Sequence, residues 1–206
     1  MAPNASAPGA KLRKSDRTRQ AILDGARIAF ARKGFSGVTI QDITDLAQVT
    51  RANFYYYFRD KRALFIELGT ATYREALDVA ESFGELGDTP RKDAIRDWVG
   101  RYFAYLDRNG AFVIRSAEDS PDDRRFRSAL ARSYRRTAQA LGDRIVKLSA
   151  IPPEVDPAAV GLATMAMLER SWLMAQHDEI SAMSEDMVVA ALAELISRLV
   201  DSGKER

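Results

Sequence analysis

The spacing of apolar residues is the feature of this 206-residue sequence that most restricts its fold. Apolar side chains recur every three or four residues from about residue 20 almost to the end, which is the period of an amphipathic α-helix. No segment shows the strict alternation of a β-strand, and no repeated unit is visible. The sequence therefore predicts an all-α protein of about nine helices.

Start and stop signals divide the first third of the chain into four helices. Gly34 is placed to end the first helix as a C-terminal cap. Thr39, with Asp42 three residues later, forms a variant of the capping box that begins the second. Thr50 and Asp60 are the expected N-caps of the third and fourth helices.

The remaining two thirds of the chain contain longer predicted helices. Asn109 and Gly110 are expected to end a fifth helix, and a short sixth helix should follow. The seventh begins at about Asp122. The eighth begins at Asp156 and the ninth at Ser184.

Charge is distributed unevenly along the chain. The formal net charge is only +2, yet residues 1 to 62 carry 12 Lys and Arg against 5 Asp and Glu, a balance of +7. The other 144 residues have a balance of −5. This contrast indicates a small module for nucleic acid or an anionic surface, joined to a mildly acidic body.

Several classes of protein are disfavoured by composition. The chain has no cysteine and a single histidine, His177, so we expect no disulfides, no zinc site and no cofactor. The first ten residues lack the apolar core of a secretion signal, and no run approaches the ~20 apolar residues of a membrane span. We therefore expect a cytoplasmic protein without membrane contact.

Residues 39–58 have the layout of a helix-turn-helix, because two short predicted helices are separated by a tight turn. The second helix must pack one face on its neighbours and offer the other to the DNA major groove. We expect Phe54, Tyr57 and Phe58 to pack. The outward side chains would be Arg51, Asn53, Tyr55 and Tyr56.

The outward side chains have the chemistry for reading DNA. Arg and Asn read guanine and adenine edges, which assigns Arg51 and Asn53 to bases. Hydroxyl groups and helix N-termini suit phosphates. An aromatic run of this kind also has an alternative interpretation, in which the tyrosines only fill a small core. The expected DNA contacts are Arg17, Thr39, Gln41, Thr50, Arg51, Asn53, Tyr55, Tyr56 and Lys61.

Residues 17–68 closely resemble the DNA-binding domain of the tetracycline-repressor (TetR) family of bacterial regulators. The similar segment is AILDGARIAFARKGFSGVTIQDITDLAQVTRANFYYYFRDKRALF. The family pattern of an aromatic pair, a Phe and a following Lys is present as Tyr56, Tyr57, Phe58 and Lys61. One departure is Gln48, where members commonly have Gly at a turn position expected to need a positive φ.

The resemblance implies three regions: a disordered basic arm over residues 1–14, a helix-turn-helix domain over 15–62, and an effector-binding and dimerisation domain over 63–206. Within the last, LATMAMLERSWLM is similar to the eighth helix of the ethionamide-resistance repressor group. The eighth and ninth helices, about 156–200, would pair with those of a second copy. Such a dimer places two recognition helices about 34 Å apart on a palindromic operator.

The resemblance also implies a repressor that a small apolar or aromatic effector releases from DNA. Small-molecule sites are mostly apolar with a few polar groups. Glu169 and Arg170 stand out as polar residues in an otherwise apolar helix. The residues expected to line the effector pocket are Trp98, Tyr102, Phe103, Phe112, Phe126, Tyr134, Met165, Glu169 and Trp172.

Two alternatives remain open from sequence. The chain could be a DNA-binding protein without an effector, its body serving only as a dimer scaffold. It could also be a Mg²⁺-dependent helical enzyme that uses the acidic cluster at residues 118–123, although those acids also suit a helix N-terminus. No nucleophile-elbow or phosphate-loop motif is present, so we expect no enzymatic activity.

Overall fold

A computed structural model describes residues 14–152, 154–176 and 182–201, and this part of the chain is all-α, as predicted. Residues 1–13 of the expected arm and His177 lie outside the described residues. Eight α-helices are present, with a 3-10 helix at Ser82–Leu86 after the fourth. They are α1 (Lys14–Gly37), α2 (Ile40–Ala47), α3 (Arg51–Tyr57), α4 (Lys61–Glu81), α5 (Lys92–Glu118), α6 (Arg124–Leu148), α7 (Pro157–Ala175) and α8 (Glu185–Asp201).

The predicted start signals of the short helices are confirmed. The Thr39 side chain accepts a hydrogen bond from the Asp42 amide, while the Asp42 carboxylate accepts one from the Thr39 amide. Thr50 and Asp60 cap α3 and α4 in the same way. Because each cap satisfies amides that a helix N-terminus leaves unpaired, three helices begin within 22 residues.

Two positive φ angles make the turns of this region. Gly34 has φ 70° and interrupts α1, as a C-terminal glycine cap should. Gln48 has φ 53° between α2 and α3, the left-handed conformation expected at that position. A glutamine has a Cβ where glycine has none, so this turn carries local strain of about 1 kcal/mol.

Two hydrophobic cores organise the described chain. The smaller core lies among α1 to α4, around Phe30, Ile43, Phe54 and Phe65. The larger core fills the body between α4, α5, α6, α7 and α8. Phe112 of α5 and Phe126 of α6 pack in the smaller core, so the body contributes side chains to the core of the first four helices.

The prediction that Asn109 and Gly110 end a helix is wrong, because α5 runs without a break through both residues. The short sixth helix predicted after them is therefore part of α5, and the predicted seventh, eighth and ninth helices correspond to α6, α7 and α8. The buried Asn109 amide donates to a carboxylate oxygen of Glu75 at 3.0 Å and to the Tyr105 carbonyl at 3.2 Å. A Cβ on Gly110 would lie 2.5 Å from the Trp172 ring. Both residues serve contacts with α4 and α7, and these tertiary contacts override their tendency to end helices.

Gly161 of α7 packs inside the chain, against α6. Gly142 of α6 and Gly161 of α7 face each other, and a Cβ on Gly161 would overlap the Ala138 carbonyl oxygen. The two backbones touch because neither residue has a side chain, which holds α6 and α7 together. No helix in the described part of the chain combines the length and apolarity needed to cross a membrane.

We expect Gly161→Ala to lower the free energy of unfolding by about 1–3 kcal/mol or more, because the new methyl group must push α6 and α7 apart. The matched control is Gly100→Ala in α5, where a Cβ meets nothing within 4 Å. That change should raise stability by about 0.5–1 kcal/mol through helix propensity. Urea unfolding measures both; similar values for the two variants would contradict the close contact.

Candidate DNA interface and effector cavity

Helix α3 has one buried face and one exposed face. Phe54 and Phe58 are buried against α1 and α2, and Tyr57 is half-buried beside them. Tyr55 is 50% exposed and Tyr56 is 81% exposed. Arg51 and Asn53 are also exposed, so the four side chains expected to face outward do so.

The alternative that the tyrosines only pack a core fits Tyr57 alone. The rings of Tyr57 and Tyr56 meet edge-on with their centres 4.9 Å apart, but Tyr56 extends beyond Tyr57 into solvent. An aromatic side chain with four fifths of its surface exposed contributes little to a core. The exposed face of α3 thus has a guanidinium, an amide and two phenol groups available for a partner.

Four further predicted contact residues lie on the surface of α1, of α2 and of the turn before α3. Thr39 and Thr50 are exposed at the N-termini of α2 and α3, where backbone amides also favour phosphate. Gln41 is exposed and donates to Asp45 at 2.6 Å. Arg17 is exposed near the start of α1.

Lys61 is placed differently from the other predicted DNA contacts. Its ammonium group donates to the Phe35 carbonyl at 2.8 Å and the Val38 carbonyl at 2.7 Å. It also lies 4.7 Å from the centre of the Phe35 ring. These contacts close the end of α1 against α4 and leave at most one N–H donor for a phosphate.

The capping carboxylate of α2 is held in its charged form. The Lys33 ammonium, 2.6 Å from it, and the amide and hydroxyl of Thr39 hold the pKa of Asp42 well below its usual range. The hydrogen bonds favour the ionised carboxylate. The carboxylate that caps α2 is therefore ionised near neutral pH.

The acidic turn between α5 and α6, residues 118–123, binds the DNA-binding domain. Asp119 accepts hydrogen bonds from the Ser36 amide at 3.0 Å and the Ser36 hydroxyl at 2.8 Å. Asp123 pairs with Arg62 of α4 and also caps α6. We call these two contacts the clasp.

The clasp accounts for the acids that suggested a Mg²⁺ site. Asp119 and Asp123 hold the neighbouring domain, Glu118 pairs with Arg115, and Asp122 pairs with Arg127. In the described ranges no three acidic or histidine side chains are grouped so as to hold a metal. The four carboxylates thus point to four different partners.

Two cavities adjoin the clasp. The larger, about 990 Å³, lies among α4, α5, α6 and α7, and the smaller, about 650 Å³, lies between α4 and α6. Of the predicted pocket residues, Tyr134 and Glu169 line the larger and Phe126 the smaller. The other six are buried in the two cores and line neither cavity: Trp98, Tyr102, Phe103, Phe112, Met165 and Trp172.

Two of those six use their polar atoms inside the protein. The Trp98 indole donates to the Val79 carbonyl at 2.9 Å, and the Trp172 indole donates to Asp107 at 2.8 Å. The part of the cavity wall that the sequence did not predict consists mostly of smaller apolar residues. They are Val113, Ile114, Ala117, Leu130, Ala131, Ala138, Ala158, Ala159 and Leu162. Their spacing on three helices gave no signal distinct from that of core residues.

Residues 22–68 match the family described as bacterial regulatory proteins, tetR family. These residues form a TetR-family domain. Its structure resembles that of the regulator PfmR from Thermus thermophilus, with a TM-score of 0.66 and 21% identity over 86% of this chain and 97% of that one. At this identity the likeness supports the fold alone.

The curated relatives that this chain matches are named as regulators. It is 33% identical to the transcriptional repressor NicS of Pseudomonas putida, over 51% of this chain and 49% of NicS. It is 24% identical to the regulator EthR of Mycolicibacterium smegmatis, over 87% of this chain and 84% of EthR. The chain spans about half the length of the first curated relatives it matches.

Glu169 stands out in the larger cavity because it is a carboxylate that is mostly buried. The Tyr134 hydroxyl donates to its carboxylate at 3.5 Å, a weak hydrogen bond. The Tyr102 hydroxyl approaches the same carboxylate, but its geometry falls short of a regular hydrogen bond. Burial raises the pKa of Glu169 above its usual 4.5.

We expect Glu169→Gln to stabilise the protein at pH 7. A raised folded-state pKa means that the folded protein binds the proton more tightly than the unfolded chain, so ionisation costs stability above the folded pKa. This cost disappears below pH 4.5, and so should the advantage of Gln. Urea unfolding at pH 7 and pH 4 measures the difference.

Glu118→Gln is the matched control, because Glu118 also lines the cavity but is exposed and paired with Arg115. It should give no comparable gain at pH 7. A Glu169→Gln variant that is equally or less stable than the wild type at pH 7 would contradict the cost assigned to the buried carboxylate.

Proposed function

We propose that the chain is a homodimeric transcriptional regulator, a repressor that leaves a palindromic operator when a small apolar or aromatic effector binds its body. The exposed face of α3, on a helix-turn-helix that matches the tetR family, carries this proposal. The names of NicS and EthR support a role in transcription.

DNA recognition is assigned to the exposed face of α3, both to its first turn and to the residues that follow. Arg51 and Asn53 occupy the first turn of α3, the part of a recognition helix that enters the major groove, and their side chains suit guanine and adenine edges. Tyr55 and Tyr56 follow with hydroxyls suited to phosphates. Thr39 and Thr50 add helix N-termini.

We expect Arg51→Ala to weaken binding to the preferred DNA sequence by about 1–3 kcal/mol and to relax preference at the base pair it reads. The preferred sequence is obtained by selection from random DNA, and binding is measured at fixed salt. Arg91→Ala is the control, because Arg91 is an exposed arginine at the start of α5 whose partner is the nearby Asp93. Equal losses on specific and random DNA would remove Arg51 from base contact.

Dimerisation is assigned to α7 and α8, which expose large apolar side chains. Leu162 of α7 is 46% exposed, and Met187 and Leu195 of α8 are 61% and 56% exposed. Exposed apolar side chains grouped on two helices are typical of an interface. Small residues beside them allow close approach: Ala163 and Ala166 of α7 and Ala191 of α8.

We expect Leu195→Glu to produce a folded monomer that binds the operator at least about tenfold more weakly, since each monomer then reads only one half-site. Ile28→Glu is the control, an exposed apolar residue on α1 at 42%. Sedimentation gives the mass and circular dichroism gives the helix content. A Leu195→Glu protein that remains dimeric would place the interface elsewhere.

Effector release is assigned to the clasp. The larger cavity is lined by Ser116, Glu118 and Ser120, which lead directly into the turn that holds Ser36 and Arg62. Tyr73 of α4 lines both cavities. A ligand that spreads this cavity therefore moves α4 and the clasp together, and changes the spacing of the two recognition helices. Such coupling is typically about 1–3 kcal/mol and reciprocal.

A further inference from the structure

The larger cavity has an apolar wall and one mostly buried acid. Its apolar residues come from α5, α6 and α7, while Glu169 lies among tyrosines from three helices. Tyr73 of α4 and Tyr134 of α6 line the cavity with it, and Tyr102 of α5 lies behind it. No lysine or arginine in the described residues forms an ion pair with Glu169.

A carboxylate without a cation is an expensive group to bury. Buried charges in proteins are paired, because desolvation costs several kcal/mol that only a counter-charge and hydrogen bonds offset. Neutral tyrosine hydroxyls supply hydrogen bonds but no charge. The Tyr102 hydroxyl is itself fully buried without a hydrogen bond of regular geometry. Both this hydroxyl and the Glu169 carboxylate can therefore accept a further polar partner.

The other charged groups of the cavity already have partners or lie at its rim. Arg127 pairs with Asp122, and Glu118 pairs with Arg115. Arg135 and Asp156 are exposed. Inside the cavity the fixed charge is therefore that of Glu169, and it is negative.

We propose that the effector is a protonated amine with an apolar body, whose ammonium group binds Glu169 while its body fills the apolar wall. This inference rests on the proposed function of the cavity as the effector site. The ammonium group supplies the missing counter-charge. Tyr73 and Tyr134 line the same cavity, and aromatic rings attract ammonium groups through their quadrupoles.

The test uses three probes with the same alkyl tail and different charge: decylammonium, 1-decanol and decanoate, each below its micelle concentration. Binding to the full chain at pH 7 is measured by calorimetry. We expect decylammonium to bind at least about tenfold more tightly than 1-decanol and decanoate to bind more weakly still. In Glu169→Gln the preference for the cation over the alcohol should vanish.

Glu118→Gln serves as the matched control, since it removes a charge from the rim of the same cavity; it should keep the preference. Binding of 1-decanol or decanoate as tight as that of decylammonium, an unchanged preference in Glu169→Gln, or no binding of any probe would overturn the proposal. Operator binding is measured in parallel. If the wild type shows no preference for the cation but still binds its operator, only the effector class is refuted, whereas failure to bind any DNA sequence selectively refutes the proposed function.

Discussion

In the proposed mechanism, the contact between the α5–α6 turn and the DNA-binding domain determines how the two halves of this protein work together. Hydrogen bonds from the Ser36 amide and hydroxyl, and the Arg62 guanidinium, hold the pKa values of Asp119 and Asp123 below their usual range. Both acids are therefore ionised near neutral pH, and the clasp is intact there. The rings of Phe112 and Phe126 extend the contact into the smaller core.

This arrangement makes the cavity and α3 parts of one connected structure. The lining of the larger cavity reaches the acidic turn, and this turn contacts Ser36 of α1 and Arg62 of α4. Helix α3 packs through Phe54 on the same small core that receives Phe112 and Phe126. In the proposed mechanism, a change in cavity width is transmitted through these side chains, which pack directly against one another.

The parts of the structure that the sequence predicted depend on local chemistry. The caps at Thr39, Thr50 and Asp60 and the turns at Gly34 and Gln48 need only neighbours within a few residues. The failures involve partners far along the chain. Asn109 and Gly110 look like a helix end until Glu75 and Trp172 are known. For the same reason the buried tryptophans could not be told from cavity walls, whereas Glu169, the residue out of place in an apolar helix, does line the cavity.

The most direct test of the coupling through the clasp compares Asp119→Ala with Asp122→Ala, a neighbouring acid that pairs only with Arg127 of α6. Any compound that stabilises the wild type in a thermal-shift screen serves as ligand, and operator affinity is measured with and without it. The account predicts that the ligand changes the operator affinity of the wild type and of Asp122→Ala by roughly 5- to 150-fold, which is typical of allosteric coupling. For Asp119→Ala, which removes the Ser36 contact and leaves the pair of Asp123 with Arg62, it predicts a clearly smaller change with unaltered ligand affinity. Full coupling in Asp119→Ala would contradict the account.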